Sequence, residues 1–261
     1  MRALQVFWNY MKINASNEFQ YRANFFIQLI QSAISLATGL IGLALVFQFT
    51  ATLGGWSKAE LLAIMGVYIL MGGVINAYIQ PNMNRMLQEV HQGTLDFALT
   101  KPVDGQVLVS VRELNFWQLT DVLVGLAVIG VASSSLSNRI GIEAVIAFLC
   151  ALFLGATMIY CFWLILSCVA FWVVKFDDFV QLFQGLYAAG RWPIGIYPNW
   201  LRMILTFLVP VAFAVTIPTE ALTNRLTPLT LLGEAALTIL FFGLARFTWK
   251  IGLRKYSGAS A

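Results

Sequence analysis

Long runs of apolar residues without charge recur along the chain, and six of them are about as long as a membrane crossing requires. A transmembrane helix needs about 20 mainly apolar residues to cross the hydrocarbon core. The pattern therefore predicts an all-α polytopic membrane protein with six transmembrane helices in one domain over residues 1–261. These helices are predicted at residues 24–49, 61–79, 116–133, 144–174, 179–197 and 229–247.

A seventh apolar run, at residues 201–217, contains Pro210 and lies between Pro198 and Pro218. Proline removes a backbone donor and breaks a helix, and broken helices at membrane depth need protein or water to cover the freed groups. We therefore expect residues 198–227 to form an outer re-entrant helical hairpin. A loop on the membrane surface is the alternative.

The basic residues indicate the orientation of the chain. With six helices and a cytoplasmic N-terminus, eleven of the 16 basic residues lie inside. A seventh crossing would move the last four basic residues outside and erase the asymmetry, so the positive-inside rule favours two cytoplasmic termini. The five basic residues then predicted outside are Lys58, Arg139, Arg191, Arg202 and Arg225.

Composition agrees with this picture, since 59% of residues are hydrophobic and 11% are charged. The net charge of +4 concerns topology and anionic lipid headgroups, so we expect lipid contacts and no nucleic acid partner. Residues 1–23 are predicted to form an interfacial helix, because Leu4, Trp8 and Met11 share one face and basic residues occupy the other.

The sequence lacks the patterns of common catalytic and metal sites. It has no G-x-x-x-x-G-K-[ST] loop to hold ATP phosphates, and His91 is its single histidine. Cys150, Cys161 and Cys168 lie in one apolar run without a metal-binding pattern, so inert packing is expected. We expect no catalytic residue, no metal site and no cofactor in this chain.

Two acidic residues, Asp121 and Glu234, lie inside predicted transmembrane helices. An ionisable residue at that depth is a candidate functional residue. The alternative is local neutralisation, in which Asp121 pairs with Arg246 and Glu234 pairs with Arg191.

Small and polar residues also form stripes on the first two predicted transmembrane helices. Close helix packing explains such stripes, and a path for an amphipathic substrate is the alternative. The candidate path residues are Gln28, Gln31 and Ser35 in the first helix, followed there by Thr38 and Gly42, and Asn76 and Gln80 in the second, preceded by Gly66 and Gly73.

Residues 80–115 form the longest predicted cytoplasmic segment. It opens at Pro81, and an apolar face at residues 83, 86, 87 and 90 predicts an amphipathic helix that Gly93 ends. Residues 93–104 then interleave apolar and charged side chains, which is typical of a compact element that docks on another protein. The candidate docking residues are Leu95, Asp96, Phe97, Leu99, Lys101 and Pro102.

The G-T-L-D-x-x-L-x-K-P-V-D run at residues 93–104 resembles the cytoplasmic signature of bacterial ABC exporter permeases of the type-two architecture. Residues 190–202, 210–213 and 218–222 are similar to the fifth span and outer hairpin of the same family. The resemblance implies a gate helix at residues 81–91 and two permease subunits per transporter, which are identical or related. It also implies two separate ATPase subunits that bind ATP and Mg²⁺, and a location in the bacterial inner membrane.

These observations predict the permease subunit of an ATP-driven exporter, not an enzyme, for a lipid-like, glycolipid or hydrophobic drug-like substrate. One alternative is a proton-coupled carrier that uses Asp121 or Glu234. Another is a membrane anchor that recruits a partner without transport.

Overall fold

The computed structural model describes residues 22–136, 141–172 and 177–256, together with residues 8, 10–12, 14 and 16. Helices dominate the described part of the chain, and none of its residues belongs to a β-sheet. The isolated residues described near the N-terminus are helical, and most of the predicted interfacial helix lies outside the described residues. The helices are α1 (Arg22–Phe49), α2 (Lys58–Val74), α3 (Gln80–Gln92), α4 (Asp96–Leu99), α5 (Gly105–Ser110), α6 (Leu119–Ser135), α7 (Ile142–Val169), α8 (Asp177–Ala188), α9 (Asn199–Met203), α10 (Ile217–Leu222) and α11 (Pro228–Lys255).

Five helical stretches in the described residues are long and apolar enough to cross a membrane. They correspond to the first, second, third, fourth and sixth predicted transmembrane helices. A bent pair, Asn199–Leu208 with Ala212–Leu222, raises the number to six if the pair counts as one span. The fold class, an all-α polytopic membrane protein, is confirmed.

The fifth predicted transmembrane helix is shorter than expected. Helix α8 has 12 residues, which corresponds to a length of about 18 Å against a hydrocarbon core of about 30 Å. Two 3₁₀ turns follow, at Ala189–Arg191 and Ile194–Ile196. The prediction of an uninterrupted helix to residue 197 is wrong, because Pro193 interrupts the regular hydrogen-bond pattern.

The bent pair coincides with the predicted hairpin at residues 198–227. Its two arms meet at an angle of 79° across a break at residues 209–211, where Pro210 prevents a continuous helix. Both arms contain π-helical turns, at Ile204–Leu208 and Ala212–Thr216.

Both ends of the bent pair contact the loop between α1 and α2. Before the pair, Ile196 lies against Gly54, where an added Cβ atom would come within 2.8 Å of Ile196 Cγ2. After the pair, Arg225 binds Glu60 through Nε at 2.8 Å and donates to the Gly55 carbonyl at 2.8 Å. The two ends therefore lie on the same side of the molecule.

The second transmembrane helix continues directly into the predicted gate helix. Lys58–Gln92 is one stretch of 35 residues, so the two elements are joined at Pro81 without a break in the helix. A π-helical turn at Ile75–Ile79 precedes the proline, and the helix continues past it. Proline cannot bond the carbonyl four residues earlier, and that carbonyl, from Ala77, accepts the Asn115 N–H instead at 2.9 Å.

Glycines bring α2 and α6 into close contact. A Cβ atom at Gly125 would lie 2.5 Å from the Leu70 backbone nitrogen. One added at Gly73 would lie 2.8 Å from the Val122 nitrogen. Helix packing therefore explains the glycines of the second stripe, as it does in many membrane proteins.

Helix α7 packs along α11 and ends earlier than predicted. It stops at Val169, and Phe171 then turns back against Gly252 and the Trp249 ring, 6.3 Å away between centroids. Residues 173 and 174 of the prediction lie outside the described residues. Helix α11 runs two turns further than predicted and ends at Lys255.

Candidate functional site

A polar cavity of about 290 Å³ lies between α1, the α2–α3 stretch, α6 and α8. All five candidate path residues line it, namely Gln28, Gln31, Ser35, Asn76 and Gln80. The stripe on the second helix therefore divides in two: its glycines pack against α6, and its amides face the cavity. We call this space the lower cavity.

Asp121 lies in the lower cavity at the start of α6, where it is half-buried. Gln28 donates to Asp121 Oδ2 at 3.1 Å, and the Ser32 hydroxyl bonds Oδ1. Gln28 and Gln118 also exchange two hydrogen bonds, of 3.0 and 2.9 Å. Two segments that are distant in sequence, α1 and the start of α6 with the turn before it, thus meet around one carboxylate.

A second cavity, of about 190 Å³, shares Ser35, Tyr68 and Ile69 with the first. Its other lining is mainly small or apolar, with Arg191 and Trp192 at the end that follows α8. We call it the upper cavity. The two spaces form a series that is polar at one end and largely apolar at the other.

The two predicted intramembrane ion pairs are absent. Arg246 binds Asp104 at 2.5 Å rather than Asp121. The Arg191 guanidinium lies over the Tyr68 ring, 5.3 Å from its centroid. Both carboxylate oxygens of Glu234 are fully buried and have no hydrogen-bond partner among the described residues.

Asn82 joins helix α3 to the irregular stretch at residues 111–115, which precedes α6. Its side chain is 1% exposed, donates to the carbonyls of Tyr78 and Glu113, and accepts from the N–H groups of Arg112 and Glu113. One amide therefore satisfies four backbone groups. Sequence analysis missed this residue, because three of its bonds reach partners about 30 positions away.

Charged residues reinforce the same junction. Arg112 is almost fully buried and binds Glu89 with two bonds of 2.7 Å. Arg85 binds Glu89 at 3.1 Å and also pairs with Glu113. Bidentate arginine–carboxylate pairs fix orientation as well as adding energy, so α3 and the stretch before α6 form one rigid unit.

The docking segment, residues 93–104, has an inner and an outer face. Leu95 is 0% exposed and its N–H donates to the Tyr256 hydroxyl at 3.1 Å. Ala98 is also buried, and Leu99 is half-buried. Phe97 is 76% exposed. The expectation that Leu95 is available for docking is therefore wrong, since this side chain belongs to the core of the chain.

Asp104 fixes the end of the docking segment. Its carboxylate caps α5 by accepting from the N–H groups of Gln106 and Val107. The hydrogen-bonded Arg246 guanidinium holds the pKa of Asp104 below its usual value. Asp104 is therefore ionised at neutral pH and links α11 to the docking segment.

Residues near both ends of the chain contact residues 93–112. Lys101 donates to the Tyr10 hydroxyl at 2.8 Å, and Asn14 donates to the Arg112 carbonyl at 2.8 Å. Tyr256 contacts Leu95 from the other end. Lys101 is thus bonded within the chain, while Asp96 is partly exposed and Pro102 is exposed.

The described part of the chain has several apolar helices that are long enough to cross a membrane, and two adjoining cavities lie between them. This is the architecture of a polytopic membrane protein. Residues 33–260 match the ABC-2 family transporter proteins. The chain belongs to this family and is a permease subunit of an ABC transporter. No curated protein and no solved structure matches it. Among the described residues, no group of His, Cys, Asp or Glu could hold a metal ion.

Proposed function

We propose that this chain is the membrane subunit of an ATP-driven exporter, and that an amphipathic substrate passes through its two cavities. The observation that carries the proposal is the series itself, in which a polar cavity adjoins a largely apolar one across Ser35, Tyr68 and Ile69. An amphiphile has the same division between a polar head and an apolar tail. The substrate is lipid-like, glycolipid or drug-like within this class.

The contacts near the two chain ends support a topology in which both termini lie on one side of the membrane, and we propose that this is the cytoplasmic side of a bacterial inner membrane. Tyr10 and Tyr256 both contact the docking segment, so the chain crosses the membrane an even number of times. Ile196 and Arg225 both contact the opposite loop, between α1 and α2. This favours a crossing through α8 and its 3₁₀ turns, followed by a re-entrant hairpin.

Unpaired amides support the presence of a second permease subunit, either identical or related. Gln31 and Gln184 are exposed in this chain, and the side-chain amide of each lacks a hydrogen-bond partner among the described residues. Polar groups facing lipid are costly. A second subunit over the open side of the lower cavity would cover them.

We propose that the outer face of the docking segment binds a separately encoded ATPase, which supplies the ATP and Mg²⁺ sites. Phe97 carries this part of the proposal. It is a large apolar side chain, 76% exposed, on a short helix that Leu95 anchors to the core. Exposed aromatic residues on rigid elements are typical interface anchors.

The test is association of the purified chain with the ATPase encoded beside it, for the wild type and for Phe97→Ser. Burial of a phenylalanine contributes about 1.5–3 kcal/mol. We therefore expect a 10- to 150-fold weaker association, at about 1.4 kcal/mol per tenfold change. The chain alone should hydrolyse no ATP, and the wild-type complex should hydrolyse it.

Two further variants separate docking from folding. Phe49→Ser alters another exposed phenylalanine, at the far end of α1, and should leave the association unchanged. Leu95→Ser should lower the melting temperature, because Leu95 is buried. If the Phe97→Ser variant binds the ATPase as tightly as the wild type does, Phe97 is not the docking residue. Substrate movement driven by a proton gradient without ATP would instead establish the carrier alternative.

A further inference from the structure

The lower cavity contains a carboxyl group without a basic partner among its described lining residues. Asp121 is the acidic residue in its lining, and no lysine or arginine lies among the lining residues that the structure describes. Arg246 is committed to Asp104 and Gln106. Arg191 lines the upper cavity and lies over Tyr68. With Asp121 ionised, the cavity repels anionic groups and attracts cations.

Two hydrogen-bond donors lie beside the Asp121 carboxyl group. Gln28 and Ser32 are within hydrogen-bonding distance of its two oxygens, and donors to a carboxylate stabilise the charge. Burial in the membrane opposes ionisation, because a charge without a counter-ion is costly there. A cationic group in the cavity would offset that cost.

The remaining polar groups of the lower cavity leave room for such a ligand. The amides of Gln28 and Gln118 bond each other, which fixes the base of the cavity. Gln31, Asn76 and Gln80 line the same space, and their side-chain amides form no hydrogen bond within the described residues. Their amide oxygens can accept hydrogen bonds from an ammonium group, and their amide groups can bond the polar atoms around it.

The two cavities also define the orientation of an amphiphile. Arg191 contributes a positive charge to the upper cavity, which disfavours a cationic head there. The upper cavity otherwise offers mainly apolar contact to a tail, from residues such as Leu43, Leu61 and Met65. A cationic head therefore lies beside Asp121, and the tail extends towards Trp192.

We propose that the lower cavity binds amphiphiles with a single cationic head group, with Asp121 as the counter-ion that determines this preference. The proposal rests on the proposed function, because it assigns the substrate class of the same cavities. Phosphate-bearing and sulfate-bearing amphiphiles are excluded by the charge of Asp121. Neutral glycosides bind less tightly, since they gain hydrogen bonds but no ionic attraction.

The experiment compares three dodecyl amphiphiles that differ in the head group alone: a trimethylammonium, a glucoside and a sulfate. The complex with the partner ATPase is placed in nanodiscs of zwitterionic lipid. Binding is measured below the critical micelle concentrations, with empty nanodiscs to subtract partition into lipid. Stimulation of ATP hydrolysis is measured on the same preparation.

The wild type should bind the trimethylammonium compound at least tenfold more tightly than the glucoside, and should not bind the sulfate measurably. Asp121→Asn keeps an oxygen for Gln28 and Ser32 but removes the charge, and should abolish the preference. Asp121→Glu should restore part of it. Glu143→Gln changes an exposed acid at the start of α7 and should have no effect.

A wild type that binds the glucoside or the sulfate as tightly as the cation would overturn the cation preference while leaving the exporter proposal intact. The same holds if the folded Asp121→Asn complex keeps the preference. If no amphiphile binds or stimulates ATP hydrolysis in a complex that hydrolyses ATP, the amphiphile pathway itself is wrong, and the cation preference is rejected with it.

Discussion

Two acidic side chains inside membrane helices have opposite surroundings. Asp121 accepts hydrogen bonds at the edge of a cavity, whereas Glu234 is fully buried with both oxygens unpartnered among the described residues. An ionised carboxylate cannot remain in such a site, so Glu234 is neutral. The two residues therefore differ in surroundings: Asp121 faces a cavity, whereas the Glu234 carboxyl group is enclosed without a partner among the described residues.

Replacement of Glu234 by methionine should stabilise the protein. Methionine has a similar length and no hydrogen-bonding demand, and an unsatisfied buried polar group costs about 1–3 kcal/mol. We expect a higher melting temperature for Glu234→Met in nanodiscs, measured by the fluorescence of the intrinsic tryptophans. Glu143→Met, at an exposed position, is the matched control and should show no rise. Lost transport with unchanged stability would contradict this assignment and favour the carrier alternative.

Among the helices, the junction between α3 and the stretch before α6 has the densest set of specific contacts. A π-helical turn precedes Pro81, and Asn82 and Arg112 bind α3 to the stretch before α6. The docking segment continues directly from this junction. Under the proposed ATPase docking, a displacement of the docking segment would reach α2 and the amides of the lower cavity through these contacts.

Removal of the Asn82 side chain should weaken this junction strongly. Asn82→Ala leaves the N–H groups of Arg112 and Glu113 without their acceptor, and each unsatisfied buried group costs about 1–3 kcal/mol. We expect a loss of roughly 2–5 kcal/mol in the free energy of unfolding, measured by denaturant titration. Gln88→Ala, on the exposed face of the same helix, should change it by less than about 0.5 kcal/mol. An equal effect of the two variants would refute the role of Asn82.

Regular periodicity made several elements predictable from sequence. Apolar runs located five long helices, and the 3.6-residue pattern found the gate helix and the amides of both stripes. The inward position of Leu95 was not predictable, because alternation of apolar and charged residues in a four-residue helix does not reveal which side meets the core. The Gln28–Asp121 contact and the Asn82 bonds join distant segments, and no local pattern encodes them.

The ion pairs predicted for Asp121 and Glu234 do not form, for a related reason. Depth in the membrane placed Asp121 level with Arg246, but rotation about the helix axis decides which side chains meet. Arg246 faces Asp104 at the end of the docking segment, and Asp121 faces α1. Breaks at proline were predictable, since Pro210 removes a donor wherever it lies, whereas the early end of α8 depended on the turns around Pro193.

At the level of the whole molecule, contacts divide the chain into two sides. One side carries the chain ends and the docking segment, joined by Tyr256, Tyr10 and Lys101. The other carries the α1–α2 loop, where Arg225 stacks on the Trp56 ring at 4.6 Å and binds Glu60. The bent pair starts and returns on this second side, and it packs against α7 through Gly155.

Cysteine labelling in intact cells tests this arrangement. In a background without the three native cysteines, Asn224→Cys and Ser137→Cys should react with a membrane-impermeant maleimide, while Gln88→Cys and Ser257→Cys should react only after the membrane is opened. The physical reason is the contact of Arg225 with the α1–α2 loop, which holds residue 224 on the outer side. A hairpin that crossed the membrane completely, in addition to the crossing through α8, would reverse the result at residues 224 and 257 together and leave residue 88 unchanged. Labelling at residue 257 without membrane opening would therefore reject both the re-entrant hairpin and the two cytoplasmic termini, and residue 88 reports whether the membrane was intact.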